Sequence, residues 1–323
     1  MKEIKLQIIS LFLISILLFS GLSLGSSNSQ KFVSLQENND FYFVQITDTH
    51  VMNKIFDRNE ISKNRFIYVL SKICSFEPKP AFIVITGDLT EWGGNYISGA
   101  LNCLAFTSCL YKKNGQFYAD ENYSIPVYTT PGNHEYYLSR NLINYHRFIK
   151  NEDRYIVNYD NVSLFFMNSG PSYYKLLYNW IKNVDGDGLY DSDIQWLESS
   201  LDNCSSSYKI VLMHHPAINI RNDKGEMHDV IIRNREEFID LCEDYNVELV
   251  LTGHTHTSRV FDSSEYYYDF NNSLNCSLYS TLYVQTDDCK EGVHYRNVSL
   301  IGNDIWLENT VELEYLYRYD SDT

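Results

Sequence analysis

Histidines and metal-binding oxygen donors are concentrated in five short stretches of this chain. One stretch, Gly253-His254-Thr255-His256, places two of the nine histidines one residue apart. The other four are Asp48-Thr49-His50, Gly87-Asp88, Gly132-Asn133-His134-Glu135 and His214-His215. Imidazole nitrogens together with carboxylate and amide oxygens, without thiolate, suit Mn, Fe or Zn. Any one stretch can be explained as a polar turn, but the five together indicate a single metal-containing site.

Each of these stretches ends or follows an apolar segment that is typical of a buried β-strand. The segments are FYFVQIT (41–47), AFIVIT (81–86), IPVYTT (125–130), YKIVLMHH (208–215) and VELVLTGH (247–254). Segments with helical spacing alternate with them at 61–76, 191–201 and 233–245. This alternation predicts an α/β fold, in which ligands bind at the carboxyl ends of the strands. We therefore expect the polar stretches to meet at one edge of a sheet.

Other local signals lead to more specific expectations. The glycines of the polar stretches allow tight turns and close backbone approach beside the ligands. Asp191 or Ser192 is a suitable N-cap for the helix at 191–201. From Ser258 onward the pattern is rich in β-formers and tyrosine, and it predicts antiparallel strands that pack onto a sheet. The segment 92–123 contains no motif and is a candidate for a cap that determines specificity. The polar stretch 217–230 is interpreted as a loop on the active-site side.

The order Asp-x-His, Gly-Asp, Gly-Asn-His-Glu, Val-x-x-His and Gly-His-x-His over residues 48–256 resembles the calcineurin-like metallophosphoesterase superfamily. The resemblance implies a four-layer αββα sandwich with a dimetal site at the carboxyl ends of the strands. The ligands it implies are Asp48, His50 and His256 for one ion, Asn133, His214 and His254 for the other, and Asp88 as a bridge between the two. Alternate residues of an extended chain project the same way, so His254 and His256 can serve adjacent ions.

The resemblance also implies roles beside metal binding. His134 would be the catalytic residue, protonating the leaving group or stabilising phosphoryl oxygens without touching either ion. His215 would either face the substrate or pack inside the protein, and both readings stay open. Two ions would bind substrate oxygens and produce a bridging hydroxide that attacks phosphorus. Glu91 stands where purple acid phosphatases carry a tyrosine ligand, so an iron–tyrosinate centre is not expected.

The substrate class follows from similarity alone. FVQITDTHV, VITGDLTEWG, QWLESSL and VLMHHPA look most like the branch of cyclic-nucleotide and glycerophosphodiester phosphodiesterases. We therefore expect a phosphodiesterase that acts on a small phosphate ester. One alternative is a phosphomonoesterase of the acid phosphatase or nucleotidase type. A more distant alternative is a non-catalytic interaction scaffold, although such scaffolds lack the histidine that is present here as His134.

Composition limits the partners. The chain has 323 residues with a net charge of -16, from 26 basic and 42 acidic residues. This excess repels phosphate backbones, so nucleic acid is not an expected partner. A small anionic substrate requires cations in the site to offset the local field. No linker is apparent after residue 40, so 40–323 is expected to be one domain.

The first 25 residues resemble a secretory signal peptide. Two lysines precede an apolar core from Ile8 to Phe19, and small residues follow at Ser23 and Gly25. We expect cleavage near Gly25 and a leader over 26–39, which would give a secreted or extracytoplasmic protein. An uncleaved anchor is the alternative, and only then would the protein be attached to a membrane.

Two further features agree with export. Six Asn-x-Ser sequons occur, at Asn122, Asn161, Asn203, Asn271, Asn275 and Asn297, which would make the protein a glycoprotein in a eukaryote. The seven cysteines lack paired metal-binding spacings, so in an exported protein some are expected to form disulfides. Cys103 and Cys109 could pair only if the chain between them is not a continuous helix. Buried free thiols are the alternative.

Overall fold

The alternating segments fold into helices and strands close to the predicted positions. The computed structural model describes residues 40–137, 139, 141–172 and 185–315. The predicted signal peptide and leader therefore lie outside the described residues. The helices are α1 (Ile61–Cys74), α2 (Ser98–Thr107), α3 (Asp191–Asp202) and α4 (Arg235–Asp244). The strands are β1 (Phe41–Ile46), β2 (Ile83–Thr86), β3 (Tyr111–Lys113), β4 (Gln116–Tyr118), β5 (Pro126–Thr130), β6 (Tyr155–Tyr159), β7 (Val162–Phe166), β8 (Gly186–Gly188), β9 (Tyr208–Leu212), β10 (Ile231–Arg233), β11 (Leu249–Thr252), β12 (Arg259–Phe261), β13 (Ser273–Asn275), β14 (Leu282–Gln285), β15 (His294–Ile301), β16 (Asp304–Glu308) and β17 (Val311–Glu312).

These strands form two large sheets and a small ribbon. The larger sheet has the order β13-β16-β15-β1-β2-β5-β4-β3, with β17 paired to β15. The smaller sheet has the order β12-β14-β11-β9-β7-β6, and β8 pairs with β10. Strands β1, β2 and β5 are parallel to one another, as are β7, β9, β11 and β14. Within each sheet, the carboxyl ends of these parallel strands therefore meet at one edge.

Three apolar cores separate four layers. Successive residues of a strand face opposite sides of its sheet. In β1, Val44 packs towards α1 and α2, whereas Phe43 packs against Leu212 of the smaller sheet. In β9, the neighbouring Val211 turns to the other side and packs with Leu197 of α3. The order helices, sheet, sheet, helices confirms the predicted αββα sandwich.

Two local predictions are wrong. The residues after Ser258 do not form only antiparallel strands, because β14 pairs in parallel with β11. Periodicity of apolar residues identifies a strand but carries no information on its direction. In addition, α3 begins at Asp191, so neither Asp191 nor Ser192 is the N-cap. Tyr190 precedes the helix, and its N–H donates to Asp193 Oδ2 over 2.9 Å.

The segment 92–123 joins the main body of the fold. It contains α2 and a hairpin of β3 and β4 that extends the larger sheet beside β5. Cys103 lies inside α2 and Cys109 follows the end of that helix. All seven cysteines belong to the described residues, and each is a free thiol. The disulfides expected for an exported protein are thus not observed.

Candidate metal centre

The seven predicted metal ligands meet at the carboxyl ends of the parallel strands, where a cavity of about 330 Å³ opens. Five of them line this cavity: His50, Asp88, Asn133, His254 and His256. The other two, Asp48 and His214, are fully buried. Asp48 Oδ1 lies 3.3 Å from His256 Nε2, and His214 Nε2 lies 3.3 Å from Asp88 Oδ2. Strand ends that are far apart in sequence are therefore brought together, as the sequence predicts.

The first group of donors consists of Asp48, His50 and His256. Asp48 Oδ1 lies 3.3 Å from His256 Nε2 and 3.7 Å from His50 Nε2. One donor atom from each residue lies within 4.8 Å of the others. These separations are the ones expected for atoms that share one cation instead of bonding directly to each other.

The second group surrounds His214. Its Nε2 lies 3.0 Å from Asn133 Oδ1 and 3.3 Å from Asp88 Oδ2, and its ring centroid is 5.1 Å from that of His254. The same Asp88 oxygen is 3.6 Å from His50 Nε2 in the first group. Asp88 thus stands between the two groups, which is the position required of a bridging ligand.

Hydrogen bonds at Nδ1 orient two of the candidate ligand histidines, His214 and His50. His214 Nδ1 donates to the Thr86 carbonyl oxygen over 2.8 Å. His50 Nδ1 donates to Glu91 Oε2 over 2.7 Å. Each bond fixes the tautomer and leaves Nε2 facing the carboxylates, as is usual for histidines that bind metals. Glu91, which occupies the position of the tyrosine ligand of purple acid phosphatases, therefore orients His50 by a hydrogen bond.

The donor set fits a pair of metal ions. Within the described residues, Asp48 Oδ1 and His50 Nε2 are buried polar atoms without a hydrogen-bond partner. A buried polar atom left in this state costs roughly 1–3 kcal/mol, so native proteins rarely keep one without a ligand. The two atoms lie 3.7 Å apart, and His50 Nε2 also lies 3.6 Å from Asp88 Oδ2. Cations held between them would satisfy both, and the nitrogen and oxygen donors suit Mn, Fe or Zn.

The charges of the site agree with cation binding. Burial opposes ionisation of Asp48 and Asp88, but the neighbouring histidines hold the pKa of both carboxyl groups well below its usual range. Burial likewise opposes a charge on His214, yet Asp88 and Asp48 raise its pKa to about 9. For His254, burial and the charge of His214 lower the pKa to about 4. The two buried carboxylates thus attract positive charge, which a bound cation would supply in place of the proton on His214, while His254 is already in the neutral form that binds a metal.

Most of the candidate ligands have an unusual backbone. The φ angles are 52° at Asp48, 42° at His50, 47° at Asp88, 69° at His254 and 48° at His256. A left-handed conformation at a residue other than glycine costs about 1–3 kcal/mol and persists only where surrounding contacts enforce it. Concentration of such residues in one place is typical of a functional site.

Glycines let the ligand stretches approach one another, as expected. A Cβ added to Gly132 would lie 2.2 Å from Asp88 Oδ1. A Cβ added to Gly253 would lie 1.9 Å from Thr47 Oγ1. Both separations are below any contact that a side chain tolerates. The glycines therefore allow the backbone of one stretch to press against the ligands of another.

His134 lies on the wall of the cavity beside the bridging position. Its backbone N–H donates to Asp88 Oδ1 over 2.8 Å, and its side-chain Nε2 is 3.8 Å from Asp88 Oδ2. Its Nδ1 is 3.1 Å from Glu91 Oε1, and its ring is stacked on that of Tyr137. Glu91 thus contacts both His50 and His134. The His134 side chain thus lies between Glu91 and Asp88, with Nδ1 nearer to Glu91 and Nε2 nearer to Asp88.

His215 occupies a different environment. Its side chain is fully buried, and it does not contribute to the lining of the cavity. Its Nδ1 is hydrogen-bonded to Ser169 Oγ over 2.8 Å, and its ring centroid is 4.4 Å from that of His254. This is the position that packing behind a ligand would give, and contact with the substrate stays a prediction.

Three further residues at the site are absent from the predicted set. Asp229 lines the cavity and belongs to the polar stretch 217–230 that is interpreted as an active-site loop. Asp288 and Lys290 follow β14, and Asp288 Oδ2 is 3.7 Å from His256 Nδ1. The signal that identifies the other strand ends applies to β14 as well. The sequence does not predict Asp288 and Lys290 as site residues, because the direction of β14 cannot be determined from its apolar pattern.

Comparisons with known proteins agree with this geometry. The sequence pattern of the calcineurin-like phosphoesterase family matches residues 41–258. A probable glycerophosphodiester phosphodiesterase from Arcobacter nitrofigilis is 26% identical over 220 residues, which cover 66% of this chain and 71% of that protein.

Two solved structures share the fold at 12% identity. A dimetal phosphatase from Danio rerio has a TM-score of 0.57, with 85% of this chain and 99% of that chain covered. A purple acid phosphatase from yellow lupin seeds has a TM-score of 0.56, with 85% and 52% covered. Because the family match spans more than half of the chain, the protein belongs to the calcineurin-like phosphoesterase family.

Proposed function

We propose that this metal-dependent phosphoric ester hydrolase is an exported dimetal phosphodiesterase. The observation that carries the dimetal assignment is the position of Asp88, whose Oδ2 lies 3.6 Å from His50 Nε2 and 3.3 Å from His214 Nε2. The remaining candidate ligands lie on either side of it. The ligands of one ion would be Asp48, His50 and His256, and those of the other Asn133, His214 and His254, with Asp88 shared.

Different residues of the site have different roles in hydrolysis. The ligand residues would hold two ions, and those ions would supply positive charge to bind phosphate oxygens and to lower the pKa of an attacking water. Asp88 sets the distance between the two halves of the site. His134 presents Nε2 to the cavity, where it donates a proton to the oxygen of the departing alcohol. Glu91 beside Nδ1 keeps the ring in the orientation that this transfer requires.

The preference for diesters has one support. The relative from Arcobacter nitrofigilis is named a probable glycerophosphodiester phosphodiesterase.

A direct comparison of esters tests the reaction class. Protein reconstituted separately with Mn, Fe or Zn is assayed on bis(p-nitrophenyl) phosphate and on p-nitrophenyl phosphate. We expect kcat/KM to be higher for the diester by at least roughly tenfold, or about 1.4 kcal/mol of transition-state free energy. Faster hydrolysis of the monoester would favour a phosphomonoesterase. A metal-loaded protein that hydrolyses neither would favour the scaffold. Glycerophosphodiesters, cyclic nucleotides and sphingomyelin then identify the substrate.

Export is tested separately. No helix in the described part of the chain is long and apolar enough to span a membrane. We expect protein from the culture medium of a eukaryotic host to begin near Ser26 and to carry N-glycans at the exposed Asn122, Asn203 and Asn271. N-terminal sequencing and peptide mass spectrometry check both points. Recovery of an intact Met1 from washed membranes alone would instead support the anchor.

A further inference from the structure

The loop after β14 brings a lysine into the cavity. Lys290 lines the cavity and keeps 37% of its side chain exposed. Among the described residues that line it, Lys290 is the one lysine or arginine. It lies beyond residues 41–258, the part of the chain that the family pattern covers. It is therefore not one of the residues from which the metal ligands were predicted.

The backbone around Lys290 is fixed independently of its side chain. The Lys290 N–H donates to Asp288 Oδ1 over 2.6 Å, and the Cys289 N–H donates to the Thr47 carbonyl oxygen over 3.0 Å. The Arg65 guanidinium donates to the Lys290 carbonyl oxygen. The loop is thereby tied to α1 and to the residue after β1 that precedes Asp48. A substitution of the lysine side chain should leave these bonds in place.

The ammonium group lies beside Glu91, which also contacts His134 and His50. Lys290 Nζ is 3.5 Å from Glu91 Oε2, while Glu91 Oε1 is 3.1 Å from His134 Nδ1. Glu91 Oε2 also accepts the hydrogen bond from His50. The carboxylate is thus shared among three groups, so it neutralises the lysine only in part. The partly exposed ammonium can therefore also reach a ligand in the cavity.

The positive charge of Lys290 favours an anionic ligand. The chain carries a net charge of -16, and the carboxylates of Asp88 and Asp229 stand on the cavity wall. A cation in a partly enclosed cavity attracts a phosphate more strongly than one at an open surface.

We propose that Lys290 is a substrate-binding residue, which contacts a phosphoryl oxygen on the His134 side of the cavity. This role rests on the proposed function for its ligand, a phosphate ester, but not on the choice between diester and monoester. It predicts that Lys290 contributes to the affinity for the phosphate group itself. The metal ligands do not include Lys290, so metal binding should be independent of it.

Inorganic phosphate is a suitable probe, because it has no leaving group. Its binding to the metal-loaded protein is measured by isothermal titration calorimetry, with metal content determined on the same samples. Lys290→Met should weaken phosphate binding by roughly tenfold, the size expected for loss of one charge-assisted contact. Lys290→Arg should retain most of the affinity. Lys79→Met removes the same charge from an exposed position before β2, at the opposite end of that strand, and should behave as the wild type.

The outcomes separate this proposal from the proposed function. Equal phosphate affinity in wild type and Lys290→Met would contradict it, and so would a wild type that binds no phosphate. Loss of metal in Lys290→Met would also contradict it, because the lysine would then support the ligands. A phosphate effect in a protein that hydrolyses no diester would sustain the role of Lys290 while the diesterase assignment fails.

Discussion

Asp88→Asn is expected to lose most of its metal and its activity together. The carboxylate is placed to serve both ions, since its Oδ2 is 3.3 Å from His214 Nε2 and 3.6 Å from His50 Nε2. Asparagine has nearly the same volume but carries no charge, and its amide group turns hydrogens towards a bound cation. We expect turnover to fall by roughly 10³, which corresponds to about 4 kcal/mol. Metal analysis of the purified variant, alongside the diester assay, measures both losses.

Stoichiometry distinguishes a bridging ligand from a terminal one. Asp88→Asn should weaken both metal equivalents in a titration, because a bridge belongs to both sites. His256→Ala should weaken one equivalent, since its Nε2 lies 3.3 Å from Asp48 Oδ1 in the first group of donors. Asp202→Asn, at the exposed end of α3, makes the same chemical change without effect on either. Two tightly bound ions and near-normal turnover in Asp88→Asn would show that the bridging assignment is wrong.

The sequence predicts that the strand ends meet at one edge of a sheet, and the reason is physical. Buried parallel strands are short apolar runs, and such runs mark where the chain leaves the sheet. The residue types that follow them, such as Asp48 after β1 and His254 after β11, are then placed at the same edge without any knowledge of distances. The four-layer order was expected from the resemblance to the metallophosphoesterase superfamily, because alternation of strands and helices predicts an α/β fold but not the number of sheets.

The interactions that orient the ligands could not be predicted from the sequence in the same way. The bond between His50 and Glu91 joins side chains that are 41 residues apart, and no periodicity encodes which carboxylate meets which imidazole. The contribution of Asp288 and Lys290 depends on the direction of β14, which pairing with β11 decides and local pattern does not. Interactions that orient ligands thus depend on tertiary packing, whereas ligand identity depends on local sequence.

His134→Ala is expected to separate metal binding from chemistry. The residue contacts Asp88 through its backbone N–H, which alanine retains, so both ions should remain bound. Removal of the imidazole should lower kcat by roughly 10²–10⁴ if the side chain acts as a general acid. The loss should depend on the leaving group. Nitrophenolate departs with little protonation, so its ester should suffer less than an alkyl or nucleoside ester.

Comparison of these losses decides the role of the side chain. A smaller loss on the nitrophenyl ester assigns proton donation to His134, and the contact between its Nδ1 and Glu91 explains how Nε2 is held towards the cavity. Equal losses on both esters would assign stabilisation of the phosphoryl oxygens instead. His146→Ala removes an exposed imidazole from the same part of the chain and should leave metal content and turnover unchanged. Loss of a metal ion from His134→Ala would make His134 a ligand. The division of Gly132-Asn133-His134 into a ligand and a catalyst would then have to be abandoned, because the alanine keeps the backbone contact that holds Asp88.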